Sequence, residues 1–280
     1  MSIVMDGKSL AAKMRAELKD KISELQKDGK EIGLAVVLVG DNQASQVYVR
    51  NKIKACEEVG IRSYSYHLSA SSAQSEVEEL VRELVLSDKI HGILVQLPLP
   101  AHLDERAILK LIPPAKDVDG FCAENVGNLA MNRETIVACT PFGVMKLLEE
   151  YKIDPNGKTA VVLGRSNIVG KPMAMLLLNA NATVTVCHSR TKNLKEICSQ
   201  ADILIVAIGK AKFVTADMIK QGAVVIDVGM DRDEEGKLCG DVDFENVREK
   251  ASFITPVPGG VGPMTITMLL YNTYITAMRG

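Results

Sequence analysis

Val161-Val162-Leu163-Gly164-Arg165-Ser166-Asn167-Ile168-Val169-Gly170-Lys171-Pro172 reads as a buried strand that breaks at a glycine and runs into a helix. A dinucleotide pyrophosphate rests at such a strand-to-helix turn, on free backbone N–H groups at the helix N-terminus. The loop departs from G-x-G-x-x-G: Ser166 stands at the second glycine, and the last glycine comes one residue late, at Gly170. Alone the match is weak, and a plain tight turn between strand and helix would read the same way.

The following strand sharpens the reading. An enzyme selective for NAD carries Asp or Glu about 20 residues past the loop, where it binds the ribose 2′-hydroxyl. Here the strand ends Val186-Cys187-His188-Ser189-Arg190-Thr191-Lys192, without an acid. A carboxylate there would repel a 2′-phosphate, whereas a hydroxyl and nearby cations hold one. Arg165 extends from the adjacent loop toward the same space. The pattern therefore favours NADP, with Arg165 and Ser189 on the phosphate, while Arg190 and Lys192 read equally well as a solvated turn. Gly164, Arg165, Ser166, Gly170, Ser189 and Met230 are the candidate cofactor-binding residues.

Outward from this loop, apolar periodicity alternates between strand and helix along the chain. Helices are expected over residues 6–26, 43–59, 73–86 and 104–111, with Gly60 ending the second. Strands are expected over 33–39, 61–68 and 90–97. Pro141 at a helix start opens a second series, with strands at 159–163, 183–186, 203–207, 223–228 and 252–254 and a last helix at 264–278. Short β-branched strands separated by helices mean parallel sheets covered on both faces. The expectation is two α/β domains, the second a dinucleotide-binding domain of the Rossmann type. The boundary falls at Cys139–Thr140: residues 1–139, completed by the last helix at about 263–280, and residues 140–262.

Composition fits this architecture. At 280 residues, 47% hydrophobic and 24% charged, the chain can bury two ordinary cores. A net charge of −2 gives no basic field for nucleic acid or an anionic membrane surface. Met1-Ser2-Ile3-Val4-Met5-Asp6 turns charged before a signal-peptide apolar region forms, and no apolar run approaches the roughly 20 residues that span a bilayer. A cytoplasmic protein is expected. Cys56, Cys122, Cys139, Cys187, Cys198 and Cys239 form no C-x-x-C pair and read as reduced thiols; with no ligand spacing among the histidines either, no metal site is expected.

Four residues outside the glycine loop are candidates for chemistry. Tyr48 and Lys52 stand at i and i+4, so they share a helix face. Gln96 stands at the end of a buried strand, and Asp119 lies in an Asp-Gly turn. Each has an ordinary structural reading taken singly: a packing pair, a strand end, a turn. Their order with the other motifs is more specific. Tyr48-x-x-x-Lys52, Val95-Gln96-Leu97-Pro98-Leu99-Pro100, Lys116-Asp117-Val118-Asp119-Gly120, Gly164-Arg165-Ser166-x-x-Val169-Gly170-x-Pro172 and Thr255-Pro256-Val257-Pro258-Gly259-Gly260-Val261-Gly262-Pro263 follow one another. This series closely resembles the bifunctional methylenetetrahydrofolate dehydrogenase/cyclohydrolase family over nearly the whole chain. No motif position departs from the pattern. Nothing resembles the formyltetrahydrofolate ligase domain of longer relatives. A different two-domain NADP dehydrogenase, of the shikimate type, would explain the glycine loop but not the four residues as a set.

The resemblance implies a homodimer with an interdomain cleft, tetrahydrofolate derivatives on the first domain and NADP on the second. It implies oxidation of 5,10-methylenetetrahydrofolate to the methenyl form, then hydrolysis to 10-formyltetrahydrofolate. Tyr48, Lys52, Gln96 and Asp119 would be catalytic and substrate-binding, joined on the substrate by Pro258, Gly259 and Gly260. Asp119 would face the pterin edge, whose amide N–H and exocyclic amine form two donors suited to a carboxylate. Tyr48 would position the folate. Pro258 and the two glycines would let backbone approach it closely. Lys52 would sit at the one-carbon bridge and handle the proton, and a hydrogen bond accepted from Gln96 would favour its neutral amine.

Overall fold

The computed structural model describes residues 2–279; Met1, in the N-terminal stretch, and Gly280, at the end of the expected last helix, lie outside the described residues. In chain order the elements are β1 (Ile3–Val4), α1 (Gly7–Lys27), β2 (Gly33–Val39), α2 (Gln43–Val59), β3 (Arg62–Leu68), α3 (Gln74–Leu86), β4 (Gly92–Val95), α4 (Glu105–Leu109), α5 (Ala123–Ala130) and α6 (Cys139–Glu150). They continue with β5 (Thr159–Leu163), α7 (Gly170–Asn179), β6 (Thr183–Cys187), α8 (Leu194–Cys198), β7 (Ile203–Val206), β8 (Val224–Asp227), β9 (Asp231–Arg232), β10 (Leu238–Cys239), α9 (Phe244–Val247), β11 (Phe253–Ile254) and α10 (Val261–Arg279).

Two compact units form. The first holds residues 13–128, 134–139 and the chain from Ile266 on; the second holds the chain through Ala12 and residues 129–133 and 140–265. In the first unit a parallel three-stranded sheet has the order β3-β2-β4. Its central strand, Gly-Leu-Ala-Val-Val-Leu-Val, is buried at every position, as a run without polar alternation requires. Val77, Val81 and Leu84 of α3 pack on one face with Ile108 and Ile112.

In the second unit six parallel strands run β1-β11-β8-β7-β5-β6. The chain goes outward from β5 to β6, then returns to β7 on β5's other side. The strand order thus reverses beside the C-terminal end of β5, which is where ligands bind in doubly wound sheets.

Several details depart from the expected elements. The first strand was not expected; it pairs with β11, Ile3 beside Phe253 and Val4 beside Ile254, so the segment ahead of α1 lies on the six-stranded sheet rather than with the first domain. Residues 129–133 also join the second unit, where Asn179 Nδ2 donates to Leu129 O at 2.9 Å. The helix expected to open at Pro141 begins two residues earlier, at Cys139, with Pro141 inside the first turn, where a missing N–H breaks no helical bond. Helix α5 lies in a stretch for which no element was expected. The cysteines are all free thiols, as read from their spacing.

Candidate active site

Helix α2 is a capped platform. Asn42 Oδ1 accepts from Ser45 N at 3.0 Å at one end; Gly60, at φ +86°, closes the other in the left-handed conformation that glycine adopts without penalty. Tyr48 and Lys52 project from this helix one turn apart, Tyr48 37% exposed and Lys52 half-buried. Burial raises the Tyr48 phenol above its usual range. One residue past β4, half-buried Gln96 meets Lys52: Lys52 Nζ donates to Gln96 Oε1 at 3.0 Å. The amide's other end is committed, since Gln96 Nε2 donates to Leu97 O at 2.7 Å. The pair was expected, but the sense of the bond is the reverse of the one that would favour a neutral amine. Gln96 cannot donate to Lys52 while its N–H₂ serves the Leu97 carbonyl and its oxygen faces the lysine.

The segment carrying Asp119 runs beside β4. Ile93 N donates to Lys116 O at 2.8 Å, and Ile93 bridges Asp117 in parallel fashion. Gly92 makes the approach possible, because a Cβ there would come within 2.4 Å of Val118 Cγ1. The turn itself is shaped by Asp117, not Asp119. Buried Asp117 accepts from Gly120 N at 3.0 Å, Cys122 N at 2.7 Å and Asn125 Nδ2 at 3.1 Å. Asp119 is thereby released from the turn role that its sequence context allowed. Burial pushes the Asp119 carboxyl up to about 6, opposed by the positive charge of Lys52 and aided by the negative charge of Asp117. From α10, Asn272 Nδ2 donates to Val118 O at 2.8 Å and Val137 O at 2.9 Å, anchoring the backbone next to Asp119. Sequence reasoning missed Asp117 and Asn272. The first lies two residues before Asp119 in the same motif, where spacing alone does not tell the two carboxylates apart; the second carries no local signal.

The glycine loop lies in the second unit. Gly164 sits at φ +132°, where a Cβ would meet Ala207 O at 2.2 Å; a Cβ on Gly170 would meet Gly164 O at 2.3 Å. Both positions therefore need glycine, because the turn packs against its own backbone there. Ser166 has a role beyond the expected one. Its Oγ accepts from Val169 N at 3.1 Å and Gly170 N at 3.3 Å, and its carbonyl accepts from Lys171 N at 3.0 Å. The serine at the second glycine position thus takes up the first N–H groups of α7 that the motif reading left open. Leu163 and Cys187 are register partners on β5 and β6, so Arg165 and Ser189 each stand two residues past a paired strand end. Both are exposed. The Met230 methyl lies by Gly262, where a Cβ would come within 3.2 Å of it. The loop of Pro258, Gly259 and Gly260 is held at the start of α1: Lys8 N donates to Gly259 O at 2.9 Å, and a Cβ on Gly7 would strike Gly260 O at 1.9 Å. The structure thus groups Tyr48, Lys52, Gln96 and Asp119 in the first unit, and Pro258–Gly260 with the cofactor candidates in the second.

The chain matches known proteins along nearly its whole length. Residues 5–119 match the catalytic domain of tetrahydrofolate dehydrogenase/cyclohydrolase, and residues 138–280 match its NAD(P)-binding domain. Bifunctional protein FolD of Streptococcus thermophilus is 58% identical over 280 residues, covering 100% of this chain and 99% of its own. The crystal structure of FolD from Campylobacter jejuni superposes with a TM-score of 0.98 at 55% identity, covering 100% of this chain and 99% of that one. The Trypanosoma brucei enzyme, solved with NADP cofactor and an inhibitor, gives 0.95 at 42% identity, with 99% and 98% covered. The chain belongs to the tetrahydrofolate dehydrogenase/cyclohydrolase family.

Proposed function

We propose that the chain is a bifunctional enzyme that oxidises 5,10-methylenetetrahydrofolate with NADP and hydrolyses the resulting 5,10-methenyltetrahydrofolate to 10-formyltetrahydrofolate. The observation that carries this reading is the Lys52–Gln96 pair beside Asp119, since a proton-handling group and a carboxylate anchor are what the two steps require in one pocket. NADP, when bound on the glycine loop, supplies the hydride acceptor. Gly164 and Gly170 shape the turn that would hold its pyrophosphate, and Arg165 with Ser189 would take the 2′-phosphate and so favour it over NAD.

The protein's own groups do the rest. Asp119 accepts the two pterin donors as a carboxylate and Tyr48 packs along the folate, fixing the one-carbon bridge. Orientation supplies much of the oxidative step, which needs little proton transfer. Hydrolysis needs more: water must be activated against the cationic methenyl carbon, and a proton must reach the leaving ring nitrogen. Lys52 handles that proton. Gln96 Oε1 holds one of its N–H groups and leaves the others for water and substrate.

The family also implies a homodimer in the cytoplasm. Among the described residues no helix is long and apolar enough to cross a membrane. Sedimentation equilibrium would show twice the chain mass for a dimer, and a monomer would reject it. For the activity, purified protein is mixed with methylenetetrahydrofolate and NADP while NADPH and methenyltetrahydrofolate are followed together. NADPH should form and the methenyl signal should decay; absence of NADPH formation would overturn the assignment.

A further inference from the structure

Two buried carboxylates in the second unit take no part in the chemistry above. Asp241 is fully buried and Asp227 is 3% exposed. Three consecutive backbone N–H groups converge on Asp241: Ile208 N at 2.7 Å and Gly209 N at 3.2 Å on Oδ2, and Lys210 N at 2.6 Å on Oδ1. Asp227 receives three more: Gly229 N at 2.9 Å and Asp241 N at 3.0 Å on Oδ1, and Val242 N at 2.9 Å on Oδ2. Asp227 therefore holds the segment that carries Asp241, and Asp241 holds the loop that follows β7. The glycines nearby are fitted to these carboxylates. A Cβ on Gly229 would come within 2.5 Å of Asp241 Cγ, and one on Gly240 within 2.0 Å of Asp227 Oδ2.

The position of this clamp gives it a role. The loop after β7 starts at Ala207, whose carbonyl is what Gly164 packs against, and the Gly229 stretch leads into Met230. The first borders the point where strand order reverses, and the second follows β8, the next strand beyond β7. A dinucleotide straddles that point with its pyrophosphate over the first loop, its adenosine half on the β6 side and its other half over β7 and β8. We propose that Asp241, held by Asp227, is a positioning residue for the nicotinamide half of the cofactor. It sets the backbone of residues 208–210 and 229–230 rather than touching the cofactor itself. The proposal rests on the NADP reading above.

That half is common to NAD and NADP, which separates this role from recognition of the 2′-phosphate. Asp241→Asn keeps the shape but turns an N–H₂ toward N–H groups. It should raise the Michaelis constants for both NADP and NAD by at least about ten-fold, because a hydrogen bond to a charged group is lost at more than one donor. Hydrolysis of methenyltetrahydrofolate assayed without cofactor should stay within about two-fold of the parent protein, since Tyr48, Lys52, Gln96 and Asp119 stand on none of these loops. Gly209→Ala is the second variant. Gly209 is exposed at φ +64° with nothing within 4 Å of an added Cβ, so the change strains the loop without disturbing the core. It should weaken both cofactors with hydrolysis intact. Titration calorimetry of the parent protein with NADP comes first: no binding there would sink the NADP reading itself. If the parent binds and either folded variant loses hydrolysis along with cofactor affinity, or keeps both, Asp241 is a fold-stabilising group and the proposal is wrong.

Discussion

Lys52 Nζ donates to Gln96 Oε1 at 3.0 Å, and the far end of the same glutamine is tied to the Leu97 carbonyl at 2.7 Å. The amide is thus a fixed bracket: one end is anchored to the chain after β4, and the other aims a lysine from α2. A hydrogen bond to a charged group is worth about 1.5–3 kcal/mol, or roughly 10- to 100-fold in rate where the aim of the group matters. Gln96→Ala removes the bracket but keeps the amine. The cyclohydrolase kcat/KM should drop by about ten-fold or more, yet by less than on removal of the lysine. An unchanged value would show that Lys52 needs no aiming.

Cofactor choice should depend on Arg165. It stands two residues past the β5 end that is paired with β6, as Ser189 does on β6. Arg165→Ala should raise the Michaelis constant for NADP by about 10- to 100-fold and leave NAD nearly unaffected. Equal weakening toward both would place Arg165 away from the 2′-phosphate.

Asp119 should make folate binding pH-dependent. Burial, the first cause, pushes its carboxyl up to about 6 in the free protein, so below that value it is mostly neutral and offers one acceptor fewer to the pterin edge. Affinity for a folate analogue, measured by calorimetry, should fall by up to about ten-fold per pH unit below this value and level off above it. Asp119→Asn should abolish that slope. A parent protein with flat affinity across the range would return Asp119 to a structural role. For stability the sign is the reverse. The unfolded chain releases this proton near pH 3.9, so the group favours folding at acid pH, and the contribution is lost as pH rises through about 6.

Gly164 should be irreplaceable for the cofactor. A methyl group there meets Ala207 O at 2.2 Å in a backbone conformation that L-residues rarely adopt. Gly164→Ala should lower NADP affinity sharply, and the melting temperature should fall with it. Wild-type affinity would mean that the loop relaxes freely.

Much of this was legible along the chain. Uninterrupted apolar runs such as residues 33–39 identify parallel strands without a partner in view, because burial on both faces leaves no polar alternation. Lys52, Gln96 and Asp119 come from a helix, a strand end and a turn; each reads singly as ordinary structure, and only their motifs in series mark them as candidates. What stayed hidden depends on contacts between distant residues. Asn272 reaches Val118 across 154 positions, and Asp241 serves a loop 31 to 33 positions earlier. Neither bond leaves a spacing to read. Strand β1 is two residues long and exists through its pairing with β11. The sense of the Lys52–Gln96 bond was misread for a similar reason, since it is set by a third group, the Leu97 carbonyl.

On the proposed function, one pocket runs both reactions and Lys52 carries the proton for the second. The direct measurement follows NADPH and methenyltetrahydrofolate together in Lys52→Gln. Glutamine keeps hydrogen-bonding capacity but neither gives nor takes a proton near neutral pH, and general acid–base participation contributes about 10²- to 10⁴-fold. Hydrolysis should fall by at least the lower figure while NADPH still forms, so methenyltetrahydrofolate accumulates. Parallel loss of both activities would mean that Lys52 chiefly positions the substrate, and full retention of hydrolysis would remove it from the mechanism.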